Sequence, residues 1–338
     1  MSPLRHIVAA LAVSAGLALS AGESGGTVYL TFDNDFIAGS DDGYTNGFQI
    51  GYVSPARASF ADGPVPTGFG RSLDDVPLFT GSERQRFIAY SLAQRMFTPQ
   101  DIQRTDVVEE DLPYTGLLVL SGTAAAQSRT HLDAFTVTIG VAGEASLAEP
   151  AQRVIHHALG NNEPRGWDHQ LDNEPLLNLQ YEHRWRAWDY HAGGTNGDII
   201  LSGSAAAGNL MSMATGGLGL RWGHNVPDDF FVPPPFFGEE TVGALPYDPL
   251  RRGTVAVYLA ASVDAAAFAN LIYLDGNTFR DSHDVDHDHW YLRAHVGVHV
   301  HMGRLALAVS IVRATLPWDR PDGAAWETYG RISLGWRL

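Results

Sequence analysis

Cysteine is absent from all 338 residues, so no disulfide framework holds this chain. Positive charge is scarce as well. Lys and Arg total 22 against 38 Asp and Glu, a formal charge of −16, which argues against a nucleic-acid partner because phosphate backbones are bound by basic surfaces. An anionic partner would have to be met through a bridging cation or a local basic patch. Beyond the first two dozen residues no apolar run is long enough to cross a bilayer as a helix, which argues against a helical membrane protein. Disorder is excluded too, since 45% of the chain is hydrophobic.

What is present begins with a short basic start (Arg5, His6), an apolar run from Ile7 to Ala18 and small residues around Ala18–Gly22. This reads as an export signal over 1–22, leaving 23–338 as one mature domain without internal repeat or boundary. The mature chain then alternates with period two. Trp290, Leu292, Ala294, Val296, Val298, Val300 and Met302 oppose Tyr291, Arg293, His295, Gly297, His299 and His301. Residues 177–186 and 326–338 alternate in the same way, with arginines on the polar side and tryptophans near the ends. Strands of 10–13 residues exceed those of ordinary soluble sheets, and apolar-out, polar-in alternation of that length is the pattern of a membrane barrel. A soluble two-sheet sandwich also alternates, but the tight Gly303-Arg304 turn between two long strands favours the barrel.

The expected class is therefore all-β: a transmembrane antiparallel β-barrel of about twelve strands with a short helix in an external loop. The strands are 27–34, 45–54, 86–97, 114–124, 131–142, 176–188, 198–210, 212–223, 254–272, 289–302, 304–316 and 326–338, with a bulge expected near Ala265–Ala267. If the first strand starts on the inner side, connections 35–44, 98–113, 143–175, 211, 273–288 and 317–325 are external. Inner connections 55–85 and 224–253 are longer than the short turns usual there. The second is Pro-rich and aromatic (DDFFVPPPFFGEE) and reads as a lid or plug segment.

The acidic and amide side chains of FDNDFIAGSDDGYTNG, residues 32–47, then fall at the outer mouth, with Asn34 and Asp35 closing the first strand and Thr45 opening the second. The third external connection contains EPAQRVIHHALGNNEPRGWDHQLDNEP. Ala148–Leu159 within it fits a short helix that carries His156 and His157, and the Gly-Asn-Asn break suits its end. An amide, a carboxylate, a hydroxyl and an imidazole on one rim are what water-dependent ester cleavage with a cation requires.

The blocks FDNDF…DDGYTNG, QRxxHxxxG…GWDxQLxNEP…YExxW and LDGNTFRDS, in this order over nearly the whole mature chain, resemble the outer-membrane lipid A 3-O-deacylase family. The resemblance implies a twelve-stranded barrel in the cell outer membrane. It also implies a calcium-dependent hydrolase, acting as a monomer, that removes the 3-linked acyloxyacyl chain of lipid A in lipopolysaccharide. Carried over by position, the family's Asn-Asp pair falls on Asn34 and Asp35, its threonine on Thr45 and its catalytic histidine on His156. Its glutamate falls on Glu163 with a one-residue shift, and a loop lysine on Arg104. His156 would then take a proton from water, with Glu163 orienting the imidazole. Ca2+ would be held by Asp35 and Asn34 and would polarise the carbonyl; Thr45 or Arg104 would assist the oxyanion or a lipid A phosphate.

Three other motifs are weaker. DNDFIAGSDDGY has Ile37 and Ala38 where an EF-hand needs an oxygen ligand and a glycine. GESGG (22–26) lacks the strand and helix of a nucleophile elbow. HDVDHDH (283–289) places His283 and His287 at metal-like spacing, but no helix supports it, so a hydrated loop is expected. His295, His299 and His301 are expected to line the lumen. The alternatives are a phospholipase-type esterase at the same surface, which needs the same histidine and cation, and a non-catalytic porin-like barrel.

Overall fold

Alternation along each strand sorts the side chains of this chain to two sides of one wall. The computed structural model describes residues 25–34, 43–160, 162–230 and 255–338. Its strands are β1 (Thr27–Asn34), β2 (Gly43–Val53), β3 (Gln85–Thr98), β4 (Thr115–Gln127), β5 (His131–Ala142) and β6 (Glu174–Ala192). They continue as β7 (Thr195–Gly208), β8 (Met211–His224), β9 (Val255–Leu271), β10 (Trp290–Met302), β11 (Leu305–Thr315) and β12 (Trp326–Arg337). Each pairs antiparallel with its neighbours in sequence, and β1 pairs with β12, closing a twelve-stranded barrel. We call the end where β1 begins and β12 finishes the inner end.

The outside of the wall is apolar. On β10 Trp290, Leu292, Val296, Val298 and Met302 are exposed, while Arg293, His295, His299 and His301 between them are buried. On β12 Trp326 and Trp336 bracket Ile332 and Leu334. Ten residues of strand rise ~33 Å, and a tilt of about 40° brings that to ~25 Å, the height of a barrel's lipid-facing band. The inside is polar and filled. Arg331 donates to both oxygens of Asp33 at 2.6 and 2.8 Å, and Arg186 and Arg221 share Asp198 at 3.0 and 2.6 Å. Hydroxyl pairs such as Ser121–Thr138 and Thr123–Thr136, both at 2.8 Å, add neutral hydrogen bonds across neighbouring strands.

Both mouths are covered. At the outer end Phe97 stacks on Tyr273 of the short helix Ile272–Asp275 with ring centroids 4.1 Å apart, and Leu112, Leu171, Val285 and Trp318 from four connections join that apolar cap. At the inner end residues 226–230 turn into the lumen, where Arg184 Nη1 donates to the Phe230 carbonyl at 2.6 Å and Arg221 binds the Asp229 carboxylate. This is the start of the expected plug segment; its Pro-rich part, 231–254, lies outside the described residues, as does the export signal over 1–22.

The expected bulge at Ala265–Ala267 sits slightly further on. Met213 pairs with Phe268 and Ser212 with Asn270, so Ala269 is the extra residue. The difference arises because the alanine run 265–267 fits the pleat without interruption, and pairing slips only where β9 leaves the sheet. The inner connection 54–84 folds back over the outside of the wall. It carries helix α1 (Thr67–Asp74) and two 3-10 turns, Phe60–Asp62 and Pro77–Phe79.

Candidate active site

Helix α2 (Ala148–Leu159) forms where the sequence places it, ending at Gly160 in the left-handed conformation (φ 76°). Its buried residues Ala148, Ala151, Gln152 and His156 recur at helical spacing, so they form one face. That face lies against the outside of the barrel at its outer end. Ala148 and Ala151 pack with Met96 of β3 and with Tyr114 and Trp167. A Cβ on Gly116 of β4 would strike Ser146 and Ala148, so glycine lets the helix approach. Gln94 fastens the lead-in by donating to the Ser146 carbonyl at 2.6 Å.

His156 is 3% exposed. Its Nδ1 lies 2.6 Å from the Asn162 carbonyl oxygen. A carbonyl only accepts, so Nδ1 carries the hydrogen and Nε2 of the neutral ring keeps its lone pair. One turn earlier the indole Nε1 of Trp167 donates to Gln152 Oε1 at 2.7 Å. Indole nitrogen is donor-only, so the amide orientation is fixed, and Gln152 Nε2 is left buried without a hydrogen-bond partner.

The strand register aligns four residues on the outside of the wall. Asn34 pairs with Asn46, Asn46 with Met96, and Met96 with Gly116. Asp33 points inward to Arg331, so alternation turns Asn34 outward. Asn34 and Asn46 are nevertheless 5% and 2% exposed, so they are covered on a face that elsewhere meets lipid. Asn46 Oδ1 is buried without a hydrogen-bond partner, an acceptor suited to a hard cation. Thr45 is skipped in the β2–β3 ladder, between the pairs Tyr44–Phe97 and Asn46–Met96, and so occupies a bulge in the backbone. Asp35 lies outside the described residues.

Glu163 is not the partner of the imidazole Nδ1. Its carboxylate is exposed and lies 3.6 Å from Arg153 Nη1, and Arg153 also pairs with Glu149 at 2.9 Å. The one-residue shift puts the Asn162 carbonyl, rather than the carboxylate, over the ring. Arg104 is exposed in the 99–114 connection. Its guanidinium makes a two-point pair with Asp106 at 3.2 and 2.5 Å, which raises the arginine's pKa and lowers that of the carboxyl. All 22 Lys and Arg side chains of this sequence are arginine, so at position 104 an arginine stands where the resemblance implies a lysine.

The remaining motif residues build the frame. Glu174, of the NEP triplet, accepts from Asn277 Nδ2 at 3.2 Å, Thr278 N at 2.9 Å and Asn209 Nδ2 at 2.9 Å. Asn277 in turn bonds both the N–H and the carbonyl of Asp172. GWDHQLDNEP and LDGNTFRDS are thus two halves of one hydrogen-bonded knot. The 99–114 connection is tied to the same block through Arg165 N to the Ile102 carbonyl at 2.8 Å. Tyr114 reaches that carbonyl through its hydroxyl at 3.0 Å, and burial pushes its phenol up to about 12. His287 is also structural, bonding Asp275 at 3.2 Å. No group of three or more His, Cys, Asp or Glu poised to hold a metal occurs among the described residues.

The family model for outer membrane protein LpxR matches residues 6–338. Among solved structures, LpxR from Salmonella typhimurium superposes with a TM-score of 0.73 at 16% identity, covering 92% of this chain and 100% of that one. The β-domain of the Bordetella autotransporter BrkA is also similar, at TM-score 0.40 and 11% identity over 94% of this chain and 99% of that one. No curated protein matches the chain.

Proposed function

Because this chain belongs to the LpxR family of outer-membrane proteins, we propose that it is a lipid A 3-O-deacylase: a hydrolase that removes the 3-O-linked acyloxyacyl chain of lipid A in a calcium-dependent reaction. The observation that carries this reading is a buried imidazole with a fixed tautomer on the lipid-facing side of the wall. His156 Nδ1 is committed to the Asn162 carbonyl, so Nε2 is the base. A lumenal site could not receive a lipid through a filled barrel, whereas a site outside the wall meets it laterally.

Distances support a shared cleft. From Gly116 to Asn34 is three strand spacings, ~14 Å, and from Ala148 to His156 is eight helical rises, ~12 Å. A helix that starts over Gly116 therefore has the length to bring His156 to the asparagine pair. Nε2 takes a proton from water as its oxygen attacks the acyl carbonyl. The tetrahedral intermediate collapses by breaking the bond to the sugar O3, and the imidazolium returns the proton to that oxygen. The products are an acyloxyacyl acid and a 3-hydroxyl. Gln152 Nε2, fixed by Trp167 and otherwise unused, suits donation to the developing oxyanion.

The residues present fit a hard cation. Asn46 offers an orphaned amide oxygen, and Asn34 and Asp35 complete an oxygen-rich group in sequence. Calcium bound there would supply Lewis-acid polarisation of the ester carbonyl and offset the charge mismatch between a −16 protein and an anionic lipid.

Mass spectrometry of lipid A from cells expressing the protein or its His156→Ala variant tests the reading. Loss of one acyloxyacyl unit with the wild type and not with the variant is expected. Release of fatty acid from glycerophospholipid with lipid A intact would assign the site to a phospholipase instead.

A further inference from the structure

We infer that the β3–β4 sector of the wall, the sector beneath α2, faces a locally thinned bilayer. This goes beyond the hydrolase reading and does not depend on it. The outward residues of β4 are Gly116, Leu118, Leu120, Gly122, Ala124 and Ala126. At the outer end Gly116 is covered by Ser146 and Ala148. At the inner end Ala124 and Ala126 are buried beneath Phe60 and Phe79 of the 54–84 connection. On β3, Met96 lies under α2 and Ile88 under the inner connection. Tyr90 Oη donates to the Pro64 carbonyl at 3.2 Å, so that connection reaches well up the wall.

Only Leu118 to Gly122 on β4, with Tyr90 to Gln94 on β3, remain uncovered. Four residue steps rise ~13 Å along the strand and ~10 Å across the membrane. The same arithmetic gives ~25 Å between Trp326 and Trp336 on β12 and ~30 Å between Trp290 and Met302 on β10.

The covering segments do not restore the missing hydrocarbon height, because their outer surfaces are polar. Helix α1 exposes Thr67, Gly68, Arg71 and Ser72, with Phe69 as its one exposed large apolar side chain. Helix α2 exposes Arg153 and His157 beside Val154. At the inner end an arginine stands on the outward row itself. Arg86 donates to the Ala58 and Phe79 carbonyls at 2.5 and 2.9 Å and lies 3.3 Å from Asp74. Arg86 is itself covered by these partners, but the exposed guanidinium of Arg71 on α1 and that of Arg153 on α2 belong at head-group depth. Both head-group layers must therefore approach each other here, at a mismatch cost of a fraction of a kcal/mol per ångström. The partner of this surface is a lipid layer pinched between two polar clamps.

The absence of cysteine allows clean single-site labelling. Leu120→Cys and Leu92→Cys in the uncovered strip, and Ile332→Cys on β12 as reference, would be labelled with a small fluorophore. The folded protein would then be reconstituted in phosphatidylcholine vesicles. Vesicles carrying a quencher near the head group or near the acyl-chain end give a deep-to-shallow quenching ratio for each site. At both strip positions that ratio is expected to be roughly half or less of the Ile332 value, since a thin strip brings head groups close to its midpoint. Equal ratios at all three positions overturn the inference. Two strip positions guard against a single variant that does not fold, and heat-modified electrophoretic mobility reports folding for each.

Discussion

His156 and Gln152 occupy the same helix face one turn apart, yet the sequence singled out only the first. Histidine advertises chemistry by type, whereas the glutamine shows its use only once Trp167 has taken its oxygen and left its nitrogen bare. Three substitutions separate the roles. His156→Ala removes the proposed base and is expected to lower lipid A deacylation by at least ~100-fold. Gln152→Glu keeps an acceptor for the indole but replaces the donor with an oxygen; a loss of ~100-fold in kcat with little change in KM is expected. Glu163→Gln is expected to cost less than about tenfold, because an exposed carboxylate paired to Arg153 contributes little. All three are measured by release of the acyloxyacyl acid from purified lipid A. Chelating calcium is expected to abolish activity and Asp35→Ala to imitate it; full activity in strong chelator would remove the cation from the scheme. Asn46 was equally hidden. It stands inside the YTNG block, but its importance comes from a missing hydrogen-bond partner, a property no sequence displays.

Among the elements, the strands were readable because burial on one side and lipid on the other enforce a strict period of two. Boundaries moved mainly where a loop rather than the sheet decides them, as in β6, which runs to Ala192 before the Gly193–Gly194 turn. Helix α2 was readable from its periodicity and its Gly160 stop, but its resting place was not. Rim and outside wall differ only in how the lead-in Gly143–Leu147 turns, with Leu147 itself at positive φ (59°). Gly116 is the contact that settles it. Gly116→Leu would insert a side chain between wall and helix, and an activity loss of more than ~10-fold is expected while heat-modified mobility stays unchanged. The knot around Glu174 belongs to this scale too. Its hydrogen bonds to a charged group contribute about 1.5–3 kcal/mol each, so Glu174→Ala is expected to free the 276–289 segment to limited proteolysis before the barrel itself melts.

For the molecule as a whole, the question raised by an arginine-rich interior is whether the barrel conducts. Porins keep a water-filled lumen, and inward arginines on several strands fit that picture in a sequence. Here the charges are spent on each other. Arg221 is fully buried between Asp198 and Asp229, Arg293 lies 3.4 Å from Asp264, and Arg184 lies 2.5 Å from Glu182. Ions would have to displace the apolar cap of Phe97, Tyr273 and Trp318 at one mouth and the Pro227–Phe230 turn at the other. Closure of this kind is consistent with the proposed reaction outside the wall, for which the lumen need only hold the cylinder rigid. In planar bilayers the wild type is expected to show no steady conductance at either polarity. Cutting the inner plug loose should change that before it touches activity. Arg221→Ala removes the guanidinium that binds Asp229 and leaves Asp198 with Arg186, breaking a buried ion-pair network at a cost of roughly 3–5 kcal/mol; transient openings and a lower melting temperature are expected, with deacylation per folded molecule unchanged at low temperature. Steady porin-like currents through the wild-type barrel would contradict a sealed lumen and return the interior arginines to the role of an ion filter.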